Sequence, residues 1–282
     1  MPANVDLATD ARTGLLHIKW QSRPIDIEFA WVGPEVEQGP VFVFLHEGLG
    51  SVAMWKDFPD RLCKALGVRG FVYSRPGYGR STPRPKHESW NDDFMHQQAR
   101  EVLPAVLIAA GIDPQKDPLW LFGHSDGGSI SLIYAASFPQ RVSGLVVLAP
   151  HIMVEDLTIT SIEEARRAYQ VTDLPQKLGR YHEDPDSAFW GWNDIWLKPS
   201  FRQWTIESLL LGITCPLLAV QGMDDQYGTM AQIHGIKDAL PNTQLFEMPQ
   251  CGHSPHRDQP AQLIMSVTSF FTNHNRSGDK TC

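Results

Sequence analysis

The chain has 282 residues and carries 24 Lys and Arg against 32 Asp and Glu, which gives a formal net charge of −8 at pH 7. This acidic balance argues against a nucleic-acid partner, because phosphate binding needs a basic surface. Hydrophobic residues make up 42% of the chain and charged residues only 20%. That composition excludes a disordered protein and is typical of a globular protein of one or two domains.

No segment has the features of a secretion signal or a membrane anchor. The first ten residues, MPANVDLATD, lack a basic region followed by an apolar run. The longest apolar runs fall far below the roughly 18 residues that a membrane-spanning helix needs. No CxxC pair is present, and the thiols are read as incidental rather than as a disulfide or metal framework: Cys63, Cys215, Cys251 and Cys282. We therefore expect a cytoplasmic protein without a membrane partner or a bound metal.

Strands and helices alternate along the chain. In chain order, the hydrophobic spacing predicts strands at 14–20, 24–32 and 41–45, a helix at 54–66, a strand at 71–73, a helix at 93–110, a strand at 119–122, a helix at 128–138 and a strand at 144–149. After a gap come a strand at 217–220, a helix at 230–240, a strand at 244–248 and a helix at 261–272. This order predicts an α/β fold with a mostly parallel sheet and helices on both of its faces.

Residues 151–215 interrupt this alternation. They include helical patterns at 163–169 and 201–211 and four tryptophans, Trp190, Trp192, Trp196 and Trp204. A flexible linker would instead be rich in Gly and Ser. We therefore expect a core formed by residues 1–150 and 216–282, with residues 151–215 inserted as a helical subdomain.

The segment Gly123-His124-Ser125-Asp126-Gly127 matches the pattern G-x-S-x-G and lies between a predicted strand and a predicted helix. A serine on such a sharp turn is held in a strained conformation that exposes its hydroxyl above the sheet. Because a serine hydroxyl is a weak nucleophile, it needs a base that is in turn oriented by an acid. Ser125 is therefore the predicted nucleophile.

Candidate partners for Ser125 follow the last two predicted strands. Asp224 and Asp225 come after the first of these strands, and His253 and His256 come after the second. In open parallel sheets, sites lie just beyond the carboxyl ends of the strands. We expect His253 to be the base, because His256 lies further from the strand end.

From Val41 to Phe271 the chain resembles the α/β-hydrolase fold family. The resemblance is carried by the G-x-S-x-G turn, by the Gly-x-x-Asp step at 222–225 and by the Gly-His-x-Pro step at 252–255. It implies an α/β-hydrolase fold with a mostly parallel central sheet and an inserted helical lid at 151–215. It also favours Asp225 over Asp224 as the acid.

Members of this family carry a His-Gly-x segment whose last residue lends a backbone N–H to an oxyanion hole. Here the segment reads His46-Glu47-Gly48, so that Glu47 replaces the family's glycine. The resemblance implies that the oxyanion donors are the N–H groups of Gly48 and Asp126. Glu47 is expected in a buried salt bridge, with a substrate contact as the alternative.

The loop from Ser74 to Ser81 is similar to the family's Asp-x-x-Gly-x-Gly-x-Ser loop, with Ser74 in place of the usual Asp. This loop is normally structural. We therefore expect Arg75 and Arg80 to form structural ion pairs, with Glu47 as a candidate partner and substrate binding as the alternative role.

The resemblance and the serine nucleophile together imply a cofactor-free serine hydrolase that cleaves a small carboxylic ester or thioester. The serine argues against relatives that use Asp as nucleophile, the haloalkane dehalogenases and epoxide hydrolases. One alternative is hydrolysis of a carbon–carbon bond in ring-cleavage products of aromatic catabolism, although that branch commonly has Met where this chain has Asp126. Another alternative is a non-catalytic ligand-binding protein.

The expected partner is a small-molecule substrate, and the choice between monomer and homodimer stays open. Glu47, His151, Trp190 and Trp192 are the candidate substrate contacts, and Tyr181 and His182 are further candidates. For each aromatic residue, packing of the insert against the core is the alternative interpretation.

Overall fold

The computed structural model describes residues 12–275 and builds them around one sheet of eight strands in the order β1-β2-β4-β3-β5-β6-β7-β8. The strands are β1 (Thr13–Trp20), β2 (Arg23–Val32), β3 (Val41–Leu45), β4 (Arg69–Tyr73), β5 (Leu119–His124), β6 (Gly144–Leu148), β7 (Leu217–Gly222) and β8 (Gln244–Met248). β2 pairs antiparallel with β1 and β4, and every later neighbour in the sheet is parallel. The predicted mostly parallel α/β sheet is confirmed.

The sheet is buried on both faces, as β3 illustrates. Val41, Val43 and Leu45 pack into one apolar cluster. Phe42 and Phe44, which point the other way, pack into a second cluster. All five residues are fully buried, which explains why this strand reads as a continuous apolar run.

Helices cover the sheet. They are α1 (Phe58–Leu66), α2 (Phe94–Gln97), α3 (Leu103–Ala109), α4 (Asp126–Ser137), α5 (Asp156–Val171), α6 (Leu174–Leu178), α7 (Pro185–Trp196), α8 (Ala231–Ala239), α9 (Pro255–Asp258) and α10 (Pro260–Asn275). Among residues 12–275, none of them combines the length and the apolar character needed to cross a membrane.

Several helix boundaries differ from the predicted ones. The predicted helix at 54–66 is divided into a 3-10 turn, Val52–Trp55, and α1, because Lys56 has a positive φ of 55°. The predicted helix at 93–110 contains a π-helical turn, Gln98–Val102, between α2 and α3. Hydrophobic spacing detects the buried face of a helix but not such local departures from regular geometry.

The stretch of residues 151–215, hereafter the insert, holds α5, α6 and α7 together with the 3-10 turns Pro199–Gln203 and Glu207–Gly212. The helix predicted at 163–169 lies within α5, whereas the region 201–211 forms 3-10 turns instead of a helix. α5 and α7 are held together by stacking of Tyr169 on Phe189, whose ring centroids are 3.7 Å apart. The insert is therefore a packed helical unit connecting β6 to β7.

Three cysteines within the described residues, Cys63, Cys215 and Cys251, are free thiols. The fourth, Cys282, and the N-terminal segment discussed above lie outside the described residues.

Candidate active site

Ser125 occupies a strained turn between β5 and α4. Its φ of 54° and ψ of −119° lie in a region that residues other than glycine rarely adopt. A Cβ atom at Gly127 would overlap the backbone carbonyl of Leu45, so the turn packs directly against the end of β3. Ser125 directly precedes α4 and follows the last residue of β5, so it lies beyond the carboxyl ends of the parallel strands.

Asp225 and His253 form a hydrogen-bonded pair. His253 Nδ1 lies 2.9 Å from both carboxylate oxygens of Asp225. The backbone N–H of Tyr227 also donates to Asp225 Oδ1, at 2.8 Å. Burial by itself would raise the pKa of the Asp225 carboxyl, but the hydrogen bond to His253, its charge and the Tyr227 N–H hold the pKa below its ordinary value. Because the carboxylate only accepts, His253 Nδ1 carries a proton directed at it, and Nε2 is the ring nitrogen available to act as an acceptor.

The alternative residues lie elsewhere. Asp224 has an exposed side chain. His256 is buried against Trp55, with ring centroids 4.8 Å apart, and neither of its ring nitrogens has a hydrogen-bond partner among the described residues. Desolvation lowers the pKa of His256 well below its ordinary value. The structure thus brings Asp225 together with His253, and it does not bring Asp224 or His256 into this pair.

A cavity of about 130 Å³ contains Ser125 and His253. Its lining includes most of the residues selected from the sequence, namely Glu47, Gly48, Ser125, Asp126, His151, Trp192 and His253. It also includes Trp196, one of the insert aromatics that the sequence offers as pocket lining, and four residues that the sequence analysis did not single out, Leu49, Thr158, Ile162 and Tyr227. Thr158 and Ile162 are four residues apart on α5 and so share one face, a spacing that could have identified them.

Trp190 does not line this cavity. Its ring packs against Tyr169 and Phe189, with centroid distances of 5.4 and 5.1 Å. Successive helical residues are rotated by about 100°, so Trp190 and Trp192 point about 200° apart around α7. The aromatic sequence pattern does not distinguish the two directions, whereas the packing does.

Trp192 lies directly over Gly48. A Cβ atom at Gly48 would overlap the indole ring, so a residue with a side chain does not fit there while the ring keeps its place. α7 therefore contacts the loop that precedes α1 at the point where the sequence predicts an oxyanion donor.

Glu47 is part of a partly buried ionic cluster, in which the Glu47 side chain is 16% exposed, His124 is buried and Arg257 is 43% exposed. Its carboxylate lies 3.5 Å from His124 Nδ1 and 3.6 Å from Arg257 Nη2. Burial opposes ionisation, but the nearby imidazole of His124 and the charge of Arg257 hold the pKa of Glu47 well below its ordinary value. His124 Nε2 in turn donates to the backbone carbonyl of His253 at 2.7 Å. Glu47 is thereby connected to the loop that carries His253.

Arg75 and Arg80 both form ion pairs, but not with the Glu47 carboxylate as considered from the sequence. Arg80 pairs with Glu28 at 3.6 Å and is largely exposed. Arg75 is buried and pairs with Asp126 at 3.4 Å. Burial raises the pKa of the Asp126 carboxyl, and the charge of Arg75 opposes that shift.

His151 is almost fully buried at the cavity wall. Ser129 Oγ donates to its backbone carbonyl at 2.6 Å and accepts from its N–H at 3.0 Å, which fixes the backbone. Its ring packs edge-on against Trp196, and no hydrogen-bond partner for Nδ1 lies within the described part of the chain. Burial lowers the pKa of His151 to about 3, so the ring is neutral at physiological pH.

Tyr181 and His182 do not line the cavity. His182 Nδ1 accepts from the Gly79 N–H, and its Nε2 donates to the Leu49 carbonyl, both at 2.9 Å. Tyr181 accepts from Lys56 Nζ at 2.9 Å. Both residues therefore attach the insert to the core. Over residues 12–275, no group of three or more His, Cys, Asp or Glu side chains is arranged as a metal site.

Comparison with known proteins places this chain in a family. Residues 42–265 match the model of the alpha/beta hydrolase family. The chain is 25% identical over 264 residues to pimeloyl-[acyl-carrier protein] methyl ester esterase of Vibrio campbellii, covering 83% of this chain and 95% of that protein. It is also 25% identical over 302 residues to 2-hydroxy-6-oxononadienedioate/2-hydroxy-6-oxononatrienedioate hydrolase of Cupriavidus pinatubonensis, covering 97% of this chain and 100% of that protein.

Solved structures share the fold. Proline iminopeptidase of Mycobacterium smegmatis superposes with a TM-score of 0.74 at 17% identity, covering 94% of this chain and 100% of that chain. Since the family model spans most of the sequence and the sheet has the predicted architecture, the chain belongs to the alpha/beta hydrolase family and is a hydrolase with ester-acting relatives.

Proposed function

We propose that the protein is a cofactor-free serine hydrolase that cleaves a small, uncharged carboxylic ester or thioester through an acyl-enzyme at Ser125. One observation carries this proposal. A serine with a positive φ at the start of α4 lines the same cavity as an imidazole that is hydrogen-bonded to a buried carboxylate. This combination of residues is the one that acyl transfer to water uses.

In the proposed reaction, Ser125 Oγ attacks the substrate carbonyl while His253 Nε2 takes the hydroxyl proton. His253 then gives this proton to the leaving alcohol or thiol as the carbon–oxygen or carbon–sulfur bond breaks. In the second half, His253 takes a proton from a water molecule as that water attacks the acyl-enzyme. His253 then returns this proton to Ser125 Oγ as the bond between the acyl carbon and Oγ breaks and the carboxylic acid is released. Asp225 orients the ring and stabilises its charged form.

The backbone N–H groups of Gly48 and Asp126 are the proposed donors to the oxyanion of the tetrahedral intermediates. Both residues line the cavity. Asp126 is the first residue of α4, where backbone N–H groups have no partner within the helix. In comparable sites such a donor contributes about 3 kcal/mol to stabilisation of the transition state.

The cavity favours a compact, neutral acyl group. Its volume of about 130 Å³ is close to the roughly 150 Å³ of an engineered cavity that holds benzene. Leu49, Ile162 and Trp192 supply apolar walls, and no Lys or Arg is among the lining residues that the structure describes. A carboxylate on the acyl group would therefore be buried without a counter-charge. Glu47 and His151 are the proposed polar contacts.

We further propose that the insert acts as a lid on a core formed by residues 1–150 and 216–282. α5 contributes Thr158 and Ile162 to the cavity lining, and α7 contributes Trp192 and Trp196. Two of the insert's helices thus supply substrate-facing surface in addition to packing against the core, and their side chains would select the substrate.

The proposal is tested with purified protein, p-nitrophenyl butyrate and a fluorophosphonate probe. Ser125→Ala is expected to abolish both turnover and labelling while the circular dichroism spectrum is unchanged. Ser137→Ala, at the other end of α4, is the matched control and should retain both. Unchanged turnover by Ser125→Ala would exclude the mechanism.

Hydrolysis of a carbon–carbon bond is the second candidate. It is favoured by the Cupriavidus pinatubonensis relative, whose name gives a dienedioate substrate and whose similarity covers 97% of this chain. The lack of a cationic side chain in the described cavity lining disfavours such a dianion. Turnover of a dienone acid without ester hydrolysis would establish this alternative, and a probe that labels no serine would favour a non-catalytic binding protein.

A cytoplasmic location is also proposed, because three free thiols suit a reducing compartment. Cell fractionation followed by the ester assay tests it, and activity confined to a secreted or membrane fraction would contradict it.

A further inference from the structure

A single buried arginine connects the two segments that carry the proposed oxyanion donors. Arg75 Nη2 donates to the backbone carbonyl of Glu47 at 2.9 Å and to Asp126 Oδ2 at 3.4 Å. Only 1% of its side chain is exposed. We propose that Arg75 is a positioning residue that holds the N–H groups of Gly48 and Asp126 at the separation needed to bind one oxyanion, an inference that rests on the proposed function.

The first contact determines the direction of the Gly48 N–H. The Glu47 carbonyl accepts from Arg75, from His46 Nδ1 at 2.7 Å and from the Gly50 N–H at 3.0 Å. In a planar trans peptide, the carbonyl of one residue and the N–H of the next point in opposite directions. Three donors on this oxygen therefore leave the Gly48 N–H directed away from Arg75, and Gly48 lines the cavity.

The proton on His46 is assigned by the same network. Arg75 donates its backbone N–H to His46 Nε2 at 2.9 Å, so that Nε2 has to be the acceptor. His46 Nδ1 then carries the proton and donates to the Glu47 carbonyl. Desolvation and the nearby charge of Arg75 lower the pKa of His46 well below its ordinary value, which keeps the ring neutral with its single proton on Nδ1.

The second contact holds the start of α4. The Asp126 carboxylate accepts from Arg75 on one oxygen and from Trp196 Nε1 on the other, at 3.2 Å. Tyr78 covers the guanidinium from another side, with its ring centroid 4.7 Å from Arg75 Cζ. Because the guanidinium is planar and rigid, contacts to Glu47 and Asp126 through one nitrogen restrict the relative positions of both segments.

The same loop provides a matched control. Arg80 has the same chemistry as Arg75, but its side chain is 66% exposed and pairs with Glu28. It makes no hydrogen bond to either proposed donor segment within the described residues. A substitution at Arg80 changes the charge of the loop without changing the contacts that the proposal uses.

The experiment compares wild type with Arg75→Lys, with the double variant Arg75→Met/Asp126→Asn and with Arg80→Met. The double variant removes both buried charges, so that it stays testable if Arg75→Lys fails to fold. Four quantities are measured below each variant's melting temperature: kcat and KM on p-nitrophenyl butyrate, the inhibition constant of a trifluoromethyl ketone, and the inhibition constant of butyrate. The ketone forms a tetrahedral oxyanion, whereas butyrate does not.

We expect kcat to fall about 10-fold in Arg75→Lys and about 100-fold in the double variant. A misplacement of about 1 Å costs about 100-fold in rate, and Arg75→Lys keeps the positive charge and so disturbs the segments less. KM and butyrate binding should stay within about threefold, and the ketone should weaken in parallel with kcat. Arg80→Met should match wild type. An unchanged kcat in a folded Arg75 variant, or equal weakening of ketone and butyrate, would overturn the proposal.

The two proposals fail differently. If Ser125→Ala retains activity, the proposed function is wrong and the role of Arg75 falls with it. If Ser125→Ala is inactive and the Arg75 variants keep wild-type kcat, only the positioning role is wrong.

Discussion

Substitution of Asp225 by Asn is a sharp test of the proposed site, because it changes the chemistry of one buried group and almost none of its volume. Asp225 Oδ1 accepts from the N–H groups of Tyr227 and Gly228, at 2.8 and 3.3 Å. Oδ2 accepts from Gln221 Nε2 at 2.9 Å, and both oxygens lie 2.9 Å from His253 Nδ1. Every neighbour of this carboxylate is therefore a donor.

These donors decide how an asparagine would lie. With the amide oxygen in the Oδ1 position, the two backbone hydrogen bonds are kept and the amide NH₂ takes the Oδ2 position. Gln221 Nε2 then loses this acceptor but keeps its hydrogen bond to the Gly228 carbonyl. The asparagine NH₂ would donate to His253 Nδ1, which would move the ring proton to Nε2. The opposite orientation would leave two buried backbone N–H groups without an acceptor, at about 1–3 kcal/mol each. The first orientation is favoured, and in it His253 no longer serves as a base.

The expected loss follows from the wrong tautomer. The equivalent substitution in a serine protease lowers kcat about 10⁴-fold, which corresponds to about 5.5 kcal/mol at 1.36 kcal/mol per tenfold change. We expect a similar loss for Asp225→Asn, measured as kcat/KM on p-nitrophenyl butyrate and as the rate of fluorophosphonate labelling. Asp224→Asn, at the exposed neighbouring position, should stay within about twofold of wild type. Activity above about a tenth of wild type in Asp225→Asn would refute the reasoning.

Two further predictions concern stability. Gly48→Ala should lower the free energy of unfolding by about 1–3 kcal/mol, because its Cβ overlaps Trp192; urea titration measures the loss, and adding Trp192→Ala should remove most of the penalty attributed to Gly48→Ala. Stability should also fall between pH 7 and pH 5, because burial lowers the pKa of His46, His151 and His256. Below about pH 6.5 only the unfolded chain protonates these rings, which costs about 1.4 kcal/mol per pH unit for each histidine. His256→Phe should reduce the dependence of the unfolding free energy on pH by about 1.4 kcal/mol per pH unit.

Either stability prediction can fail clearly. An equal penalty for Gly48→Ala with and without Trp192 would show that the indole ring is not the cause. A pH slope that is the same in wild type and His256→Phe would show that His256 is protonated in the folded protein.

Much of the fold follows from local patterns in the sequence. The five-residue apolar run at 41–45 is a strand buried on both faces, and the β-strands and helices alternate as predicted. The departures are local: the π-helical turn at Gln98–Val102 and the 3-10 turns in the insert. Neither changes the spacing of apolar residues enough to be read from the sequence.

The candidate site residues identified from the sequence are those that both belong to a motif and lie just after a strand. Ser125, Asp225 and His253 each follow a strand of one parallel sheet, and strand order brings their loops to the same edge. Tyr227 and Leu49 belong to no motif, and only the folded chain shows that they line the cavity. The same holds for Trp190, which shares a helix with Trp192 but faces away from the cavity.

The sequence by itself determined the family, the order of strands and helices, and the candidate nucleophile, acid and base. These are properties of short segments, in which backbone geometry and chemistry depend on nearby residues. Only the tertiary structure decided that Arg75 meets Asp126 rather than the Glu47 carboxylate, and that the cavity has a volume of about 130 Å³ without a cationic side chain in its described lining. Such features depend on packing between residues far apart in the chain, and residue spacing along the chain does not encode those distances.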